Sequence, residues 1–378
     1  MKIAINCIFC QPRGGGIREY IYNVVSALSR IDKENQYILY VLKDCADYAR
    51  QTLPDVPNMR IKSTPYDSSY RSVINRSLFS RQYWLKEERE EHFDVFHSPF
   101  FHAPKLKKAK VLITVHDLRF CRYPSTYTLP RYLFLRYVVR NSIRQADAII
   151  TISAFTKSEI MDVYKIDGKK ITVVHEAINR DDFAAEKLKG YVLEDVAKPL
   201  ENQHFILSVG HIEPRKNYER LLDAFALLKE KPEATDVKLV IVGKRGHHYE
   251  NVLKRIGEMQ DVYYLDFVSR KLLLWLYQNA AVFAFPSYYE GFGFPPLEAA
   301  CFGTISAVAK ISSMPEVCGD SVVYFDPLNI QEMEQALWHC LYDKDYIAEK
   351  KALLSPNLDR FSWDRNACET LEIYKSLR

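Results

Sequence analysis

The chain has 378 residues, 48% of them hydrophobic and 26% charged, with a formal net charge of +4. That length predicts two domains rather than one core, and the modest charge without a compact basic module argues against a nucleic-acid partner. No run approaches the ~18 apolar residues of a membrane span, and Met1 to Ile8, followed by Gln11-Pro12-Arg13-Gly14, lacks a signal-peptide cleavage site, so it reads as the buried first strand of a cytoplasmic protein.

The charge is unevenly placed. Residues 1–190 hold 31 Lys and Arg against 21 Asp and Glu, an excess of +10, whereas residues 191–378 hold 21 against 27, a balance of −6. A basic first half suits an anionic surface or acceptor. The eight cysteines fit a reducing compartment. Cys7 and Cys10 have C-x-x-C spacing without a matching second pair, and Cys301, Cys318, Cys340 and Cys368 read as core or strand-end residues.

In chain order, strands are expected at Lys2 to Ile8 and Tyr37 to Leu42 around a helix from Ile17 to Ser29, then at Val95 to His97 and Val111 to His116. A long helix follows from Pro130 to Gln145. Ala148 to Ile152 is a short strand, Ser153 caps a helix over Thr156 to Tyr164, and Ile171 to His175 is a strand. Around Asn179 to Asn202 the periodicity breaks, which marks a domain junction. The pattern restarts with strands at Phe205 to Val209, Lys238 to Val242, Val262 to Leu265, Ala280 to Pro286 and Val322 to Phe325, and helices at Tyr218 to Lys229 and from Pro296. Strand–helix alternation in both halves predicts an α/β protein with two doubly wound parallel sheets, and ligands at the carboxyl ends of their strands.

Chemistry-bearing residues cluster at those strand ends. Gly14-Gly15-Gly16 after the first strand is either an anion nest or a tight turn. His116-Asp117 ends another strand, where the histidine could orient a hydroxyl or move a proton. In the second half, Gly210 precedes Arg215 and Lys216, two cations suited to a diphosphate. The segment Pro286 to Ala299 then carries Glu290, Gly291, Phe292, Gly293 and Glu298 across a loop into a helix that Pro295 and Pro296 begin. Free N–H groups, a helix dipole and carboxylates for gripping hydroxyls suggest a polyhydroxylated anion such as a nucleotide sugar. Paired carboxylates also fit a glycoside hydrolase, which the adjacent cations and glycine loops oppose. Asp343-Lys-Asp345 reads as solvated surface, and no other metal set appears. Arg136, Arg140 and Arg144 recur on the long helix, and Arg71, Arg76 and Arg81 mix with Phe79, Tyr83 and Trp84. Both stretches are either solvated faces or surfaces for anionic lipid.

Taken together, Gly14 to Gly16, His116-Asp117, Thr151 to Lys157, Gly210 with Arg215-Lys216-Asn217, Gly243, Glu290 with Glu298, and the tail Ser312-Ser-Met-Pro-Glu316 to Phe325-Asp-Pro327 resemble retaining glycosyltransferase family 4 over nearly the whole chain. The resemblance implies a GT-B fold, with an acceptor domain at 1–185, a nucleotide-sugar domain at 186–360 and a helix at 361–378 that returns to the first domain. It implies that Arg215 and Lys216 hold the donor diphosphate, Glu298 the ribose, and Glu290 with Gly291, Phe292 and Gly293 the transferred sugar. His116 would lie beside the sugar ring, Gly15 and Gly16 would leave room for diphosphate and acceptor, and Gly243 and Val268 would line the base pocket. Asp117, Ser153 and Lys157 fall on the acceptor side. The family requires no metal cofactor; its donor is a nucleotide-diphosphate sugar and its acceptor here a glycan or polyprenyl-diphosphate-linked hydroxyl. Ala300-Cys301-Phe302-Gly303-Thr304 departs from the small residues and proline usual there. Val115 to Pro124 is most similar to mannosyltransferases of bacterial surface polysaccharide assembly, which favours GDP-mannose over UDP- or dTDP-sugars. A GT-B-fold epimerase would share the cleft, but the Glu290–Glu298 segment speaks against it; a non-catalytic nucleotide-sugar binder would tolerate loss of Arg215, Lys216 or Glu290, and all three are present.

Overall fold

Lys2–Asn6 (β1) is almost wholly apolar, and Ile3, Ala4 and Ile5 are buried, as a strand in the middle of a parallel sheet with both faces covered must be. The structure is a computed structural model, described over residues 1–12, 15–69 and 80–378; Gly14, Arg71, Arg76 and Phe79 lie outside the described residues. The chain divides into two units, Met1–Ala177 together with Phe361–Arg378, and Ile178–Arg360.

In the first unit, β1 is joined by β2 (Gln36–Val41), β3 (Met59–Ser63), β4 (Val95–Ser98), β5 (Lys110–Val115), β6 (Ala148–Thr151) and β7 (Ile171–Val173) in the order β3-β2-β1-β4-β5-β6-β7, every pair parallel. The helix Gly16–Ile31 presents Tyr20, Ile21, Val24, Val25 and Leu28 to this sheet at helical spacing. The terminal helix Trp363–Ser376 contributes Ala367, Ile373 and Tyr374 to the same core. It is pinned where the Tyr374 hydroxyl meets His97 Nδ1 at 2.7 Å and Asn366 donates to the His175 carbonyl at 2.8 Å.

The second unit repeats the plan with β8 (Phe205–Val209), β9 (Lys238–Val242), β10 (Val262–Leu265), β11 (Val282–Phe285), β12 (Ser306–Ala309) and β13 (Val323–Phe325), ordered β10-β9-β8-β11-β12-β13. Strand order reverses between β8 and β11, so the loops leaving these two neighbours diverge to opposite sides and open a crevice. The loops after β8 and β9 touch: a Cβ on Gly243 would lie 2.0 Å from the Gly210 carbonyl oxygen, so only glycine fits there.

The structure corrects two local readings and gives surface residue Asp343 a local role. Trp84 is buried against Tyr40 and Phe96, and Tyr83 packs on Trp84, because the helix Arg81–Glu91 turns its aromatic side inward; neither ring is a lipid-facing surface. Cys368 is exposed, since its helix turns Ala367, Thr370 and Tyr374 inward; all eight cysteines are free thiols. Asp343 is a helix cap, its carboxylate accepting from the Tyr346 N–H at 3.1 Å and facing His339 Nδ1 at 3.1 Å. Among the described residues no group of three His, Cys, Asp or Glu could hold a metal ion, and no helix is long and apolar enough to cross a membrane.

Candidate functional site

At the switch point of the second unit, the loop after β8 and the loop after β11 bring together residues 75 positions apart. A short 3-10 turn, Pro214–Lys216, follows the glycine and points both cations toward the β11 loop. Arg215 Nη1 and Lys216 Nζ donate to one oxygen of Glu290, at 2.8 and 2.7 Å. Arg215 also donates to the Tyr289 carbonyl at 2.8 Å, and its Nε and Nη2 reach Glu213 at 2.9 and 2.7 Å. None of these four side chains is more than 14% exposed. Two buried cations therefore face two buried carboxylates, and the cluster is close to neutral.

Burial pushes the Lys216 ammonium below its ordinary range, against the pull of Glu290. Burial alone would raise the Glu290 carboxyl, but the charges of Lys216 and Arg215 outweigh it and hold it below the usual carboxylate range. Lys216 Nζ also sits 4.8 Å over the Phe285 ring. Asn217, in the left-handed region at φ 57° where asparagine is tolerated, ties the two loops by donating to the carbonyls of Pro286 and Pro327 at 3.1 and 2.9 Å.

The β11 loop runs through Gly291 and Phe292 to Gly293, whose φ of 98° excludes other residues, and into the helix Phe294–Cys301 with its prolines in the first turn. Glu298, on that helix, accepts from the Tyr277 hydroxyl at 2.6 Å, and burial raises its carboxyl above the ordinary range. Gly210 and Gly243 lie at the ends of β8 and β9. Val268 is half-buried after β10, next to Phe267, which is 75% exposed and has Lys244 Nζ 4.9 Å over its ring. Two participants escaped the sequence reading. Glu213 is one, although an acid two residues before an arginine in a turn signals a local pair. Phe267 is the other, an aromatic that the tertiary structure leaves uncovered.

In the first unit, Gly15 and Gly16 begin the helix after β1, and a side chain at either would meet only open space. His116 follows β5. Its Nδ1 lies 3.0 Å from Glu176 Oε1 and its Nε2 3.0 Å from the Pro99 carbonyl oxygen. The ionised Glu176 carboxylate and the Pro99 carbonyl are both acceptors, a geometry that favours a proton on each ring nitrogen. Burial works against that charge, but the hydrogen bond and charge of Glu176, with the Pro99 carbonyl and Asp117, raise the ring's pKa above its usual value. Its neighbour His97 is fully buried, and burial holds it neutral, down at about 3. Glu176, another partner absent from the sequence reading, follows β7 and becomes visible only when β5 and β7 flank β6. Asp117 accepts from the Arg119 N–H at 2.9 Å, the buried Ser153 hydroxyl caps its helix at the Thr156 N–H at 3.1 Å, and Lys157 is half-buried on that helix.

The His116–Glu176 pair has a pH signature. A raised folded-state pKa means its stabilisation is fully present below the unfolded imidazole value of about 6.5. It is lost as pH rises through the raised value. Denaturation of wild type and Glu176→Gln should therefore differ more at pH 5.5 than at pH 9; an equal difference at both would show that the ring is not held charged.

Residues 14–182 match the family described as Glycosyltransferase Family 4, and residues 194–353 match Glycosyl transferases group 1. The O-antigen chain mannosyltransferase B of Escherichia coli is 30% identical over 309 residues, 79% of this chain and 77% of that protein. The serotype-specific mannosyltransferase WbdA of Escherichia coli is 29% identical over 242 residues, 62% of this chain but 29% of that much longer protein. In structure, HepE of Anabaena, solved in complex with UDP-glucose, matches with a TM-score of 0.70 at 15% identity, covering 100% of both chains.

Proposed function

This chain belongs to glycosyltransferase family 4 and has its GT-B architecture, and from that premise we propose that it is a retaining hexosyltransferase that moves mannose from GDP-mannose to a glycan or polyprenyl-diphosphate-linked hydroxyl during surface polysaccharide assembly. The observation that carries this reading is the buried Arg215–Lys216–Glu290 cluster at the switch point between β8 and β11. Two cations on one loop meet the donor diphosphate; Glu290 and the N–H groups of Gly291, Phe292 and Gly293 meet the sugar; Glu298 meets the ribose; Gly243 and Val268 line the base. As the sugar–phosphate bond breaks, negative charge grows on the leaving diphosphate, and Arg215 and Lys216 supply a preorganised field for it. The acceptor hydroxyl attacks the same face of the oxocarbenium-like sugar, and the departing phosphate takes its proton.

The first unit takes the acceptor in this reading, with Asp117, Ser153 and Lys157 on that side and Gly15 and Gly16 leaving room for both the donor diphosphate and the acceptor. The imidazolium of His116 then acts as a fixed charge rather than as a base. The mannose assignment draws on the relatives' names and on Val115 to Pro124.

Thermal denaturation with GDP, UDP, dTDP and their sugar conjugates tests the donor. Selective stabilisation by GDP and GDP-mannose, several degrees at a ligand excess of about 100 Kd and abolished in Arg215→Ala, is expected. Selective stabilisation by a uridine or thymidine nucleotide would replace the donor assignment, and no shift with any nucleotide would overturn the donor site.

A polyprenyl-linked acceptor places the first unit against an anionic membrane surface. The helix Leu129–Gln145 fits that role: it has four arginines and no acid, and Leu129, Leu133 and Tyr137, at 68, 55 and 65% exposure, share one edge. Affinity for phosphatidylglycerol vesicles, read by cosedimentation, should fall by about thirtyfold in Arg136→Glu/Arg140→Glu, at about 1 kcal/mol per lost basic contact. Equal sedimentation of both proteins would exclude this helix as the contact.

A further inference from the structure

Besides Arg215 and Lys216, which hold the Glu290 side chain, three consecutive residues after β12 contact the segment Glu290–Gly293. Ser312 Oγ accepts the Glu290 N–H at 3.2 Å. The fully buried Ser313 hydroxyl lies 3.0 Å from the Glu290 carbonyl and 2.8 Å from the Phe292 carbonyl, so its one proton is shared between the two. Met314, also fully buried, fills the space over Gly293 so closely that a Cβ there would come within 2.0 Å of its methyl carbon. Residues 312, 313 and 314 thus clamp a backbone N–H, two carbonyls and a glycine face of one loop.

Ser312 does this from a strained backbone. Its φ is 55°, in the left-handed region, where a residue with a Cβ sits at a cost that glycine avoids. Such conformations persist where the surroundings over-determine them, and they concentrate at ligand sites. Glycine would relieve the backbone but forfeit the hydroxyl that meets Glu290. The side chain is what the strain preserves.

We infer that Ser312, Ser313 and Met314 are positioning residues for the Glu290–Gly293 loop, and that Ser312 tunes affinity for the transferred sugar rather than for the nucleotide. This rests on the proposed donor site, in which that loop meets the sugar while Arg215 and Lys216 meet the diphosphate. A loop held in place binds the sugar without first being ordered; a released loop binds it at a cost. The free nucleotide, held by Arg215 and Lys216, should register the difference only through weaker competition from Glu290 for those cations, which does not lower its affinity.

The test is Ser312→Gly, measured by calorimetric titration with GDP and with GDP-mannose, or with UDP and UDP-glucose where wild type prefers those, alongside kcat and melting temperature. Ser312→Gly should melt within about 2 °C of wild type, because relief of strain offsets the lost hydrogen bond. It should bind the free nucleotide at least as tightly as wild type does, bind the nucleotide sugar about 5- to 10-fold more weakly, and lose kcat by a similar factor. Ser312→Ala, which keeps the strain and loses the hydroxyl, should show the same change in binding ratio and a lower melting temperature. An unchanged ratio of sugar-nucleotide to nucleotide affinity in both variants would overturn the inference while leaving the donor site intact. So would parallel loss of both affinities with melting temperature, the mark of a purely structural role. If wild type binds neither nucleotide pair, the donor site itself falls, and this inference with it.

Discussion

Replacing Glu290 by glutamine should reduce sugar transfer by about 100-fold or more and, at the same time, tighten binding of the free nucleoside diphosphate. The first effect is the loss of a group aimed at the reacting sugar, on the order of 10²–10³ for a preorganised contact. The second follows from the ligand-free geometry. Glu290 takes Arg215 and Lys216 on one oxygen, at 2.8 and 2.7 Å, and Glu213 takes the rest of Arg215. An incoming diphosphate must displace Glu290 from both cations, and a complete donor then offers the released carboxylate sugar hydroxyls. Free diphosphate offers it nothing. Glutamine removes the competing charge, so diphosphate affinity should rise on the order of tenfold, the worth of one charge-assisted contact. Titration calorimetry and a transfer assay on the same preparation measure both effects. Weaker diphosphate binding in Glu290→Gln would show that the carboxylate does not compete for the cations.

Lys216→Met should separate activity from stability. The Lys216 side chain is 9% exposed, with its stem beside Gly210 and its ammonium over Phe285. Methionine fills nearly the same space without a buried charge. Glu290 keeps Arg215 at 2.8 Å, although two buried carboxylates now share that one guanidinium. Removing one partner of a buried ion pair costs about 3–5 kcal/mol when the other charge is left uncompensated; Arg215 compensates Glu290 in part, so the change in unfolding free energy should stay within about 2 kcal/mol. Transfer should fall by about 10³, because half of the field facing the leaving diphosphate has gone. Lys216→Ala should behave differently, costing about 2–4 kcal/mol through the void it opens. Denaturant unfolding and kcat/KM report the two quantities. Activity within threefold of wild type in Lys216→Met would remove the lysine from the diphosphate site.

The doubly wound plan was legible wherever strands are continuous apolar runs. Phe205–Val209 and Lys238–Val242 match their expected bounds, because strands buried on both faces carry their own signal; the half-buried edge strand Val262–Leu265 matches as well, through its β-branched and aromatic residues. Met59–Ser63 was not legible: it alternates with charged residues at the sheet edge. Ser306–Ala309 was not either, since Ser-Ala-Val-Ala is too small and mixed to stand out although all four residues are buried. Both sit in place because a neighbouring strand pairs with them, which no local pattern records.

At the site, residue chemistry was local and partnership was not. Gly210, Arg215, Lys216, Glu290, Gly293 and Glu298 announce themselves through glycine, charge and proline spacing near strand ends. The sequence by itself determined which types of group are present and that they stand at carboxyl ends of parallel strands. Only the tertiary structure decided that Glu290 neutralises both cations, that Glu176 faces His116, and that Ser312 to Met314 contact the Glu290–Gly293 loop. Those contacts join residues 75, 60 and about 20 positions apart. The physical reason is that hydrogen bonds and buried charge pairs depend on distances of a few ångströms, which strand order sets across the sheet while sequence separation carries no trace of them.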